Sequence, residues 1–215
     1  MTGRVENTVM VTLYIHDSVI QYSQTSTVSM DLCDWIIYSY GMNTNHYISN
    51  LLGAFATTVS MQIEQEIMHL GGHSLTHESA LVAIRNHPNN TISILSKVLG
   101  ITHSGAVRLV NTLVEEGLVE RRRSNKDARA AILCVTEEGT IRVDKVLAAR
   151  EKVTAQVLGH LDKQQQASII SVLETSLSAL TGGQESARRI CRLCDESVCR
   201  SKGCPVEMAI PQERC

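Results

Sequence analysis

A single glycine separates two short segments of helical apolar spacing in residues 91–117, and this arrangement constrains the fold more than any other part of the 215-residue chain. In the first segment Ile92, Leu95 and Leu99 recur at three- and four-residue steps, and Gly100 follows where a left-handed residue is favoured after a helix. The second segment repeats these steps with Ala106, Leu109, Val110 and Leu113. Two short amphipathic helices joined by a tight glycine turn predict a helix-turn-helix.

Residues that favour helix ends surround the apolar runs from residue 47 onward. Side chains that can cap a helix N-terminus stand just before the runs, and they are Thr76, Thr91, Thr102, Thr136 and Asp162. Gln165 follows Asp162 at the spacing of a capping box. Glycines stand just after the runs, and they are Gly71, Gly72, Gly100, Gly117, Gly182 and Gly183. Together these signals predict where each helix begins and ends.

A basic hairpin is predicted directly after the second short helix. Residues 118–122 and 131–135 have the composition of two strands, and residues 124–127 are typical of a turn. The cationic side chains of this hairpin are Arg121, Arg122, Arg123, Lys126 and Arg129, and Asp127 can pair with Arg129. A charge run by itself is ordinarily a solvated face of a protein. Immediately after a helix-turn-helix, the same run predicts a wing that contacts DNA.

The bulk charge of the chain does not point to a nucleic acid, because the formal net charge is -2. If double-stranded DNA is the partner, the positive charge must be local. Aromatic residues make up only 3% of the chain, which argues against recognition of single strands by base stacking. A helix in the major groove presents its N-terminal residues to base edges. The residues predicted to contact DNA are Thr102, His103, Ser104, Arg108 and Asn111 on this helix and Arg121, Arg122, Arg123, Lys126, Asp127 and Arg129 on the wing.

Three apolar stripes outside the helix-turn-helix are too broad for its small core to cover. They lie in residues 47–68, 140–161 and 163–180. A symmetric second copy of the chain would cover them, so the sequence predicts a homodimer whose two halves match two DNA half-sites. The predicted fold class is mainly α with a small β-hairpin wing (α+β), a winged helix-turn-helix with a helical dimerisation region.

The predicted division of the chain follows from these patterns. Its parts are a leader (1–41), an N-terminal dimerisation helix (42–75), a winged helix-turn-helix DNA-binding domain (76–139), C-terminal dimerisation helices (140–183) and a cysteine-rich tail (184–215). The leader contains most of the aromatic residues and has no clear apolar period. It is interpreted either as a poorly ordered, over-extended start that precedes a true beginning at Met42, or as a functional arm.

Residues 102–139 resemble the MarR family of regulators. The resemblance is carried by Arg108-Leu109-Val110, by the sequence Glu-Gly-Leu-Val-Glu-Arg at 116–121, by Asp127 with Arg129, and by the sequence Val-Thr-Glu-Glu-Gly at 135–139. Ala128 departs from the pattern, since an arginine is usual between Asp127 and Arg129. The resemblance implies an obligate homodimer that offers one winged helix to each half of a pseudo-palindrome. It also implies relief by a small anionic or aromatic ligand.

Four cysteines of the tail have the spacing of metal ligands. Cys191, Cys194, Cys199 and Cys204 follow the pattern C-x2-C-x4-C-x4-C, which can close on one zinc ion. An iron–sulfur cluster and unligated or redox-active thiols are the alternatives. The segment is too short to build a core, so we expect it to be either folded by a metal or disordered. Cys134, in the predicted return strand, is expected to be a small buried residue.

The predicted function is that of a DNA-binding transcriptional regulator, a repressor relieved by a small ligand. The alternative within this class is a metal- or redox-sensing regulator controlled by the cysteine cluster. A winged-helix adaptor that binds only protein is a further hypothesis, disfavoured by the basic wing. The sequence has no Gly-rich phosphate loop, nucleophile elbow or paired-carboxylate motif, so we predict neither an enzyme nor an organic cofactor. The chain also lacks the patterns of a signal peptide and a membrane span, and we expect a cytoplasmic protein without a membrane partner.

Overall fold

The computed structural model describes residues 13–15, 18–20, 32–123 and 131–210, with side chains from residue 45 onward. Its elements are β1 (Leu13–Ile15), β2 (Ser18–Ile20), α1 (Leu32–Met68), α2 (Leu75–Asn86), α3 (Ile92–Leu99), α4 (His103–Glu115), β3 (Val119–Arg123), β4 (Ala131–Val135), α5 (Glu137–Gly159), α6 (Lys163–Leu180), α7 (Gln184–Ile190), α8 (Glu196–Lys202) and α9 (Pro205–Met208). The predicted fold class, mainly α with a small β-hairpin, is confirmed. None of the described helices has a stretch long and apolar enough to cross a membrane.

The chain divides into two compact units, Met1–Ala54 and Phe55–Cys215. In the first unit β1 and β2 form an antiparallel hairpin, with Leu13 opposite Ile20, which the sequence did not predict. The boundary predicted between residues 41 and 42 falls inside α1, because this helix already begins at Leu32.

The helix-turn-helix forms where its end signals predict it. Thr91 and Thr102 cap α3 and α4, because their Oγ1 atoms accept hydrogen bonds from the backbone N–H groups of Ile94 and Gly105 at 3.4 and 3.1 Å. Gly100 has a φ of 68° between the two helices, a conformation that glycine adopts without steric cost. The helix-turn-helix predicted from apolar spacing is therefore confirmed in its helices, caps and turn.

The prediction that Thr76 caps α2 is wrong. The helix begins at Leu75, so Ser74 holds the N-cap position, and Ser74 makes no side-chain hydrogen bond to the backbone there. Its hydroxyl instead lies 3.0 Å from Nδ1 of His77. Leu75 packs against the hydrophobic core, which explains why the helix starts one residue before the expected cap.

The hydrophobic core lies in the second unit and is centred on α2. Every residue from Glu78 to Ile84 is buried, because α2 contacts α3, α5 and β4 on different sides. The largest fully buried apolar side chains are Ile67, Leu81, Val82, Ile84, Val110, Leu113, Val119, Leu133, Val143 and Val146. The core thus joins the end of α1, the helix-turn-helix, the wing strands and the first half of α5.

The wing starts as an antiparallel pair whose register runs from Val119 opposite Val135 to Arg123 opposite Ala131. The first strand begins at Val119, one residue later than predicted, and residues 124–130 at the tip lie outside the described residues. Cys134 in β4, expected to be a small buried residue, is half-buried.

A close backbone contact joins the start of α5 to the wing at Gly139. Thr136 caps α5, since its Oγ1 accepts from Gly139 N at 3.0 Å, and its backbone N–H donates to the carbonyl oxygen of Leu118 at 3.1 Å. A Cβ atom on Gly139 would lie 2.0 Å from that same carbonyl oxygen. This approach explains physically why a glycine ends the Val-Thr-Glu-Glu-Gly motif.

Gly139→Ala is expected to lower the free energy of unfolding by about 1–3 kcal/mol, because the backbone of the wing must move to make room. Gly159→Ala is the matched control within α5, since nothing lies within 4 Å of a Cβ at that position. The control should be neutral or slightly stabilising. Urea unfolding of both variants at one protein concentration measures the difference. Equal free energies of unfolding for the two variants would show that the backbone of the wing moves without loss of stability, which would contradict this prediction.

Helices α5 and α6 follow the core along the chain. Asp162 and Gln165 form the predicted capping box at the start of α6, with Oδ1 of Asp162 accepting from Gln165 N at 2.8 Å and Oε1 of Gln165 accepting from Asp162 N at 3.0 Å. No residue of α6 is buried within the single chain. Its large exposed apolar side chains are Ile170, Val172, Leu173 and Leu180.

Candidate nucleic-acid interface

Helix α4 presents one face to the core and leaves the other open. Ala106, Leu109, Val110 and Leu113 are buried. The five residues that the sequence predicted to contact DNA from this helix are all exposed, and they are Thr102, His103, Ser104, Arg108 and Asn111. The 3.6-residue period separates the two sets, so the open face runs along the helix from its N-terminus.

The N-terminus of α4 is open to an anionic group. Thr102 caps the helix, and its Oγ1 lies 3.3 Å from Oγ of Ser104. Both side chains are exposed next to the first turn, where backbone N–H groups and the helix dipole favour a negative charge. A DNA phosphate is the ligand that suits this end of the helix.

A side-chain hydrogen bond joins α4 to the wing. Arg121, on β3, donates from Nη2 to Oδ1 of Asn111 at 2.5 Å. Asn111 stays a predicted DNA contact, and its side-chain carbonyl oxygen also accepts this hydrogen bond from the wing arginine. The bond keeps the first strand of the wing beside the open face of α4.

The cations of β3 are exposed but not equivalent. Arg122 forms an ion pair with Glu120, and this hydrogen bond raises the pKa of the Arg122 guanidinium above its usual value. Arg108 and Arg123 form no ion pair with any of the described residues. The predicted contacts Lys126, Asp127 and Arg129 lie outside the described residues.

A buried ion pair that the sequence did not reveal fixes α2 to α5. Arg142 donates from Nε to both carboxylate oxygens of Glu78, at 3.1 and 3.2 Å, and Nη2 lies 2.5 Å from Oε1. Its guanidinium also donates to the carbonyl oxygens of Leu70 and Gly71, at 3.2 and 2.5 Å. The Glu78 side chain is 0% exposed and the Arg142 side chain 17%. The pair therefore fixes the position of α2 against α5.

A second unpredicted contact ties the α1–α2 connection to the end of α4. Nε2 of His73 lies 2.5 Å from Oε2 of Glu116. The ring of His77 stacks on that of His73 at a centroid distance of 4.8 Å. Burial lowers the pKa of His77, and the nearby His73 lowers it further. These histidines hold the far end of α4 in place and take no part in the open face.

The four predicted metal ligands of the tail come together around one cavity. Short helices form in the tail at Gln184–Ile190, Glu196–Lys202 and Pro205–Met208, and the four cysteines Cys191, Cys194, Cys199 and Cys204 are all half-buried. All four line a cavity of about 210 Å³. Within residues 45–123 and 131–210, no three histidine, cysteine or acidic side chains are placed to hold a metal ion as they stand.

Two thiols of this cluster interact directly. A hydrogen bond between them lowers the pKa of Cys194 to about 7 and raises that of Cys191 far above its usual range. The charge of Arg150 lowers the pKa of Cys194 further, whereas burial opposes the shift.

An exposed helix of a helix-turn-helix, followed directly by a two-stranded hairpin, defines the winged helix-turn-helix class of DNA-binding domains. Residues 74–130 match the model for the MarR family. This match agrees with the resemblance in residues 102–139, and this part of the chain has the winged helix-turn-helix arrangement.

Curated relatives of the same type match part of the chain. The HTH-type transcriptional regulator PetP of Rhodobacter capsulatus is 34% identical over 36% of this chain and 46% of its own length. The HTH-type transcriptional repressor MdtR of Bacillus subtilis is 26% identical over 40% of this chain and 55% of its own. The chain thus spans about half the length of these two relatives. Both are named as regulators of transcription.

A solved structure supports the fold beyond the matched family segment. The crystal structure of Streptococcus pneumoniae FabT in complex with DNA covers 65% of this chain and 96% of its own, with a TM-score of 0.51 and 20% identity. At this identity the likeness concerns the fold alone.

Proposed function

We propose that the chain is a transcriptional regulator that binds double-stranded DNA sequence-specifically as a homodimer on a pseudo-palindromic operator. The observation that carries the proposal is the exposed face of α4 with the cationic strand β3 held beside it through Arg121 and Asn111. The major groove admits an α-helix, and the wing would lie over the neighbouring backbone and minor groove. The residues that face DNA are then those predicted from the sequence, with Asn111 contributing through Arg121.

Repression is the proposed mode of action. MdtR is named a transcriptional repressor, and FabT was solved in complex with DNA, which supports the same use of this winged helix. A small anionic or aromatic ligand would relieve repression by favouring a dimer in which the two α4 helices no longer match successive grooves. A regulator of this kind would act in the cytoplasm.

Exposed apolar side chains support the homodimer. On α1 and α6 large apolar residues are between 45% and 70% exposed in the single chain. They are Tyr47, Ile48, Leu51, Leu52, Phe55 and Met61 on α1, and Ile170, Val172, Leu173 and Leu180 on α6. An isolated soluble chain rarely leaves such sets exposed on two helices, whereas a second copy buries them. Two copies would also supply the two winged helices that a pseudo-palindrome needs.

Selection of genomic fragments by the purified protein, followed by sequencing, tests the proposal. We expect enriched fragments that share two inverted half-sites about one helical turn apart, bound by two chains per duplex in native mass spectrometry. Fragments without a shared motif would contradict sequence-specific recognition. Binding of a protein partner with no retention of duplex DNA would favour the adaptor hypothesis instead.

Arg108→Ala is expected to relax sequence preference at one position of each half-site. The difference in binding free energy between the preferred base pair and the others at that position should fall by about 1–3 kcal/mol. Arg108 is exposed in the middle of the open face of α4, where a guanidinium can reach a guanine edge. Lys145→Ala is the control, since it removes the same charge from an exposed position on α5. Competition binding with base-substituted duplexes measures the effect. A uniform loss of affinity across all sequences would instead indicate that Arg108 contacts a phosphate.

A further inference from the structure

We propose that Cys191, Cys194, Cys199 and Cys204 ligate one metal centre, a zinc ion or an iron–sulfur cluster, that fixes the tail against the helix-turn-helix. The family match covers residues 74–130 and ends before these cysteines. The proposal stands on three features of the second unit: the convergence of the thiols, the small core of the tail, and its attachments to α2, α3 and α6.

The thiols converge from different parts of the tail. Cys191 follows α7, Cys194 lies in the turn after it, Cys199 lies within α8 and Cys204 precedes α9, yet all four line the same cavity. Four thiolates around one point are the ligand set of structural zinc and of iron–sulfur clusters. His87 also borders this cavity, but its Nε2 is held 2.9 Å from Oε1 of Glu196.

The cavity of about 210 Å³ that the four thiols line is also bordered by charged side chains such as Arg188 and Glu207, and among the described residues no group is placed to hold a metal ion as it stands. Zinc and an iron–sulfur cluster would therefore both require the four thiols to turn inward. Both centres use the same four ligands, so metal analysis separates them.

The tail has little else to stabilise its fold. Its helices contain seven, seven and four residues, and helices this short are unstable alone in water. Ala187 and Val206 are its buried apolar side chains. A metal bound by four thiolates would add the free energy that such a small core lacks.

Polar contacts join the tail to the helix-turn-helix on one side. Nδ2 of Asn86, at the end of α2, donates to the carbonyl oxygen of Cys194 at 2.9 Å. Arg189 donates to the carbonyl oxygen of Lys97 at 2.9 Å, and Lys97 pairs with Glu185 at 2.6 Å. One ligand residue of the proposed centre is thereby bonded directly to the helix that precedes α3 and α4.

On its other side the tail meets α6, the helix with the exposed apolar face. Oγ of Ser178 donates to the carbonyl oxygen of Pro205 at 3.2 Å, and α9 packs on α6. The centre therefore lies between the helix-turn-helix and the proposed dimerisation helix. Loss of the metal would loosen both attachments, so we infer that the metal state adjusts DNA affinity; this last step alone rests on the proposed function.

Metal content of the full chain, purified without oxygen, tests the centre itself. We expect about one centre per chain, measured as iron with acid-labile sulfide or as zinc. Cys199→Ser should lower the bound metal by about tenfold or more, whereas Cys134→Ser, away from the cavity, should retain it. Protein with neither metal, a Cys191–Cys194 disulfide in its place, or unchanged metal in Cys199→Ser would overturn the proposal. If Cys199→Ser does not fold, wild-type protein treated with a chelator gives the same comparison.

Amide hydrogen exchange tests the fixing of the tail. Removal of the metal should speed exchange in residues 184–208 by about tenfold, with a smaller rise at the end of α2. Unchanged exchange would overturn the structural role. Duplex binding before and after metal removal is read separately. Protein that holds metal but binds no DNA would contradict the proposed function and not the metal centre. Protein that binds DNA but holds no metal would contradict only the metal centre.

Discussion

Replacing Arg142 by alanine is expected to lower the free energy of unfolding by about 3–5 kcal/mol, because it leaves the carboxylate of Glu78 buried without its partner. Glu78 is 0% exposed and takes its hydrogen bonds from Arg142, which also satisfies two backbone carbonyl oxygens after α1. Urea unfolding followed by circular dichroism, at a fixed protein concentration, measures the loss.

A matched control lies on the same pair of helices. Arg85 on α2 pairs with Asp144 on α5 at 2.6 Å, but the Asp144 side chain is 66% exposed. Arg85→Ala should therefore cost only about 0–1 kcal/mol. Replacing Glu78 and Arg142 together by leucine should cost less than Arg142→Ala, because no buried charge remains. Equal losses for Arg142→Ala and Arg85→Ala would contradict the role assigned to the buried pair.

Leu173→Glu is expected to weaken self-association by about a hundredfold or more and to abolish stable binding to a two-half-site duplex. Leu173 is 48% exposed on α6, beside Val172 and near Ile170, so a carboxylate there disturbs little within one chain. In a dimer that covers α6 the carboxylate would be buried without a partner, which costs several kcal/mol. Sedimentation velocity over a range of concentrations measures the dissociation constant.

Gln164→Glu is the control for this variant, since it adds the same charge at an exposed polar position in the first turn of α6. It should leave the dimer unchanged. A wild-type chain that sediments as a monomer at micromolar concentration would contradict the proposed dimer. A Leu173→Glu protein that stays dimeric would show that α6 is not part of the interface.

Local signals in the sequence predicted the helix-turn-helix well. Thr91, Thr102 and Thr136 cap the helices that follow them, because a hydroxyl before an apolar run needs only its neighbours to form the bond. The same rule failed at Thr76, where packing of Leu75 decided the helix start. Local chemistry thus predicts where a helix begins or ends only if tertiary packing favours the same position.

Contacts between distant residues could not be predicted from the sequence. Glu78 and Arg142 are 64 positions apart, and neither lies in a sequence pattern that indicates the other as its partner. The spacing of the tail cysteines predicted a shared site, but not the bonds from Asn86 and Arg189 that attach the tail to the helix-turn-helix. Predicting such attachments requires knowing which faces the folded core leaves free.

Titration of the full chain with a selected duplex over a series of salt concentrations examines the claim on which the account depends. With cations from two winged helices on the phosphates, the logarithm of the binding constant should fall linearly with the logarithm of salt, at a slope steeper than about −4. Arg123→Ala should make that slope shallower and should weaken binding to all DNA sequences alike. Affinity that does not change with salt, or no retention of any duplex in dilute buffer, would contradict the account.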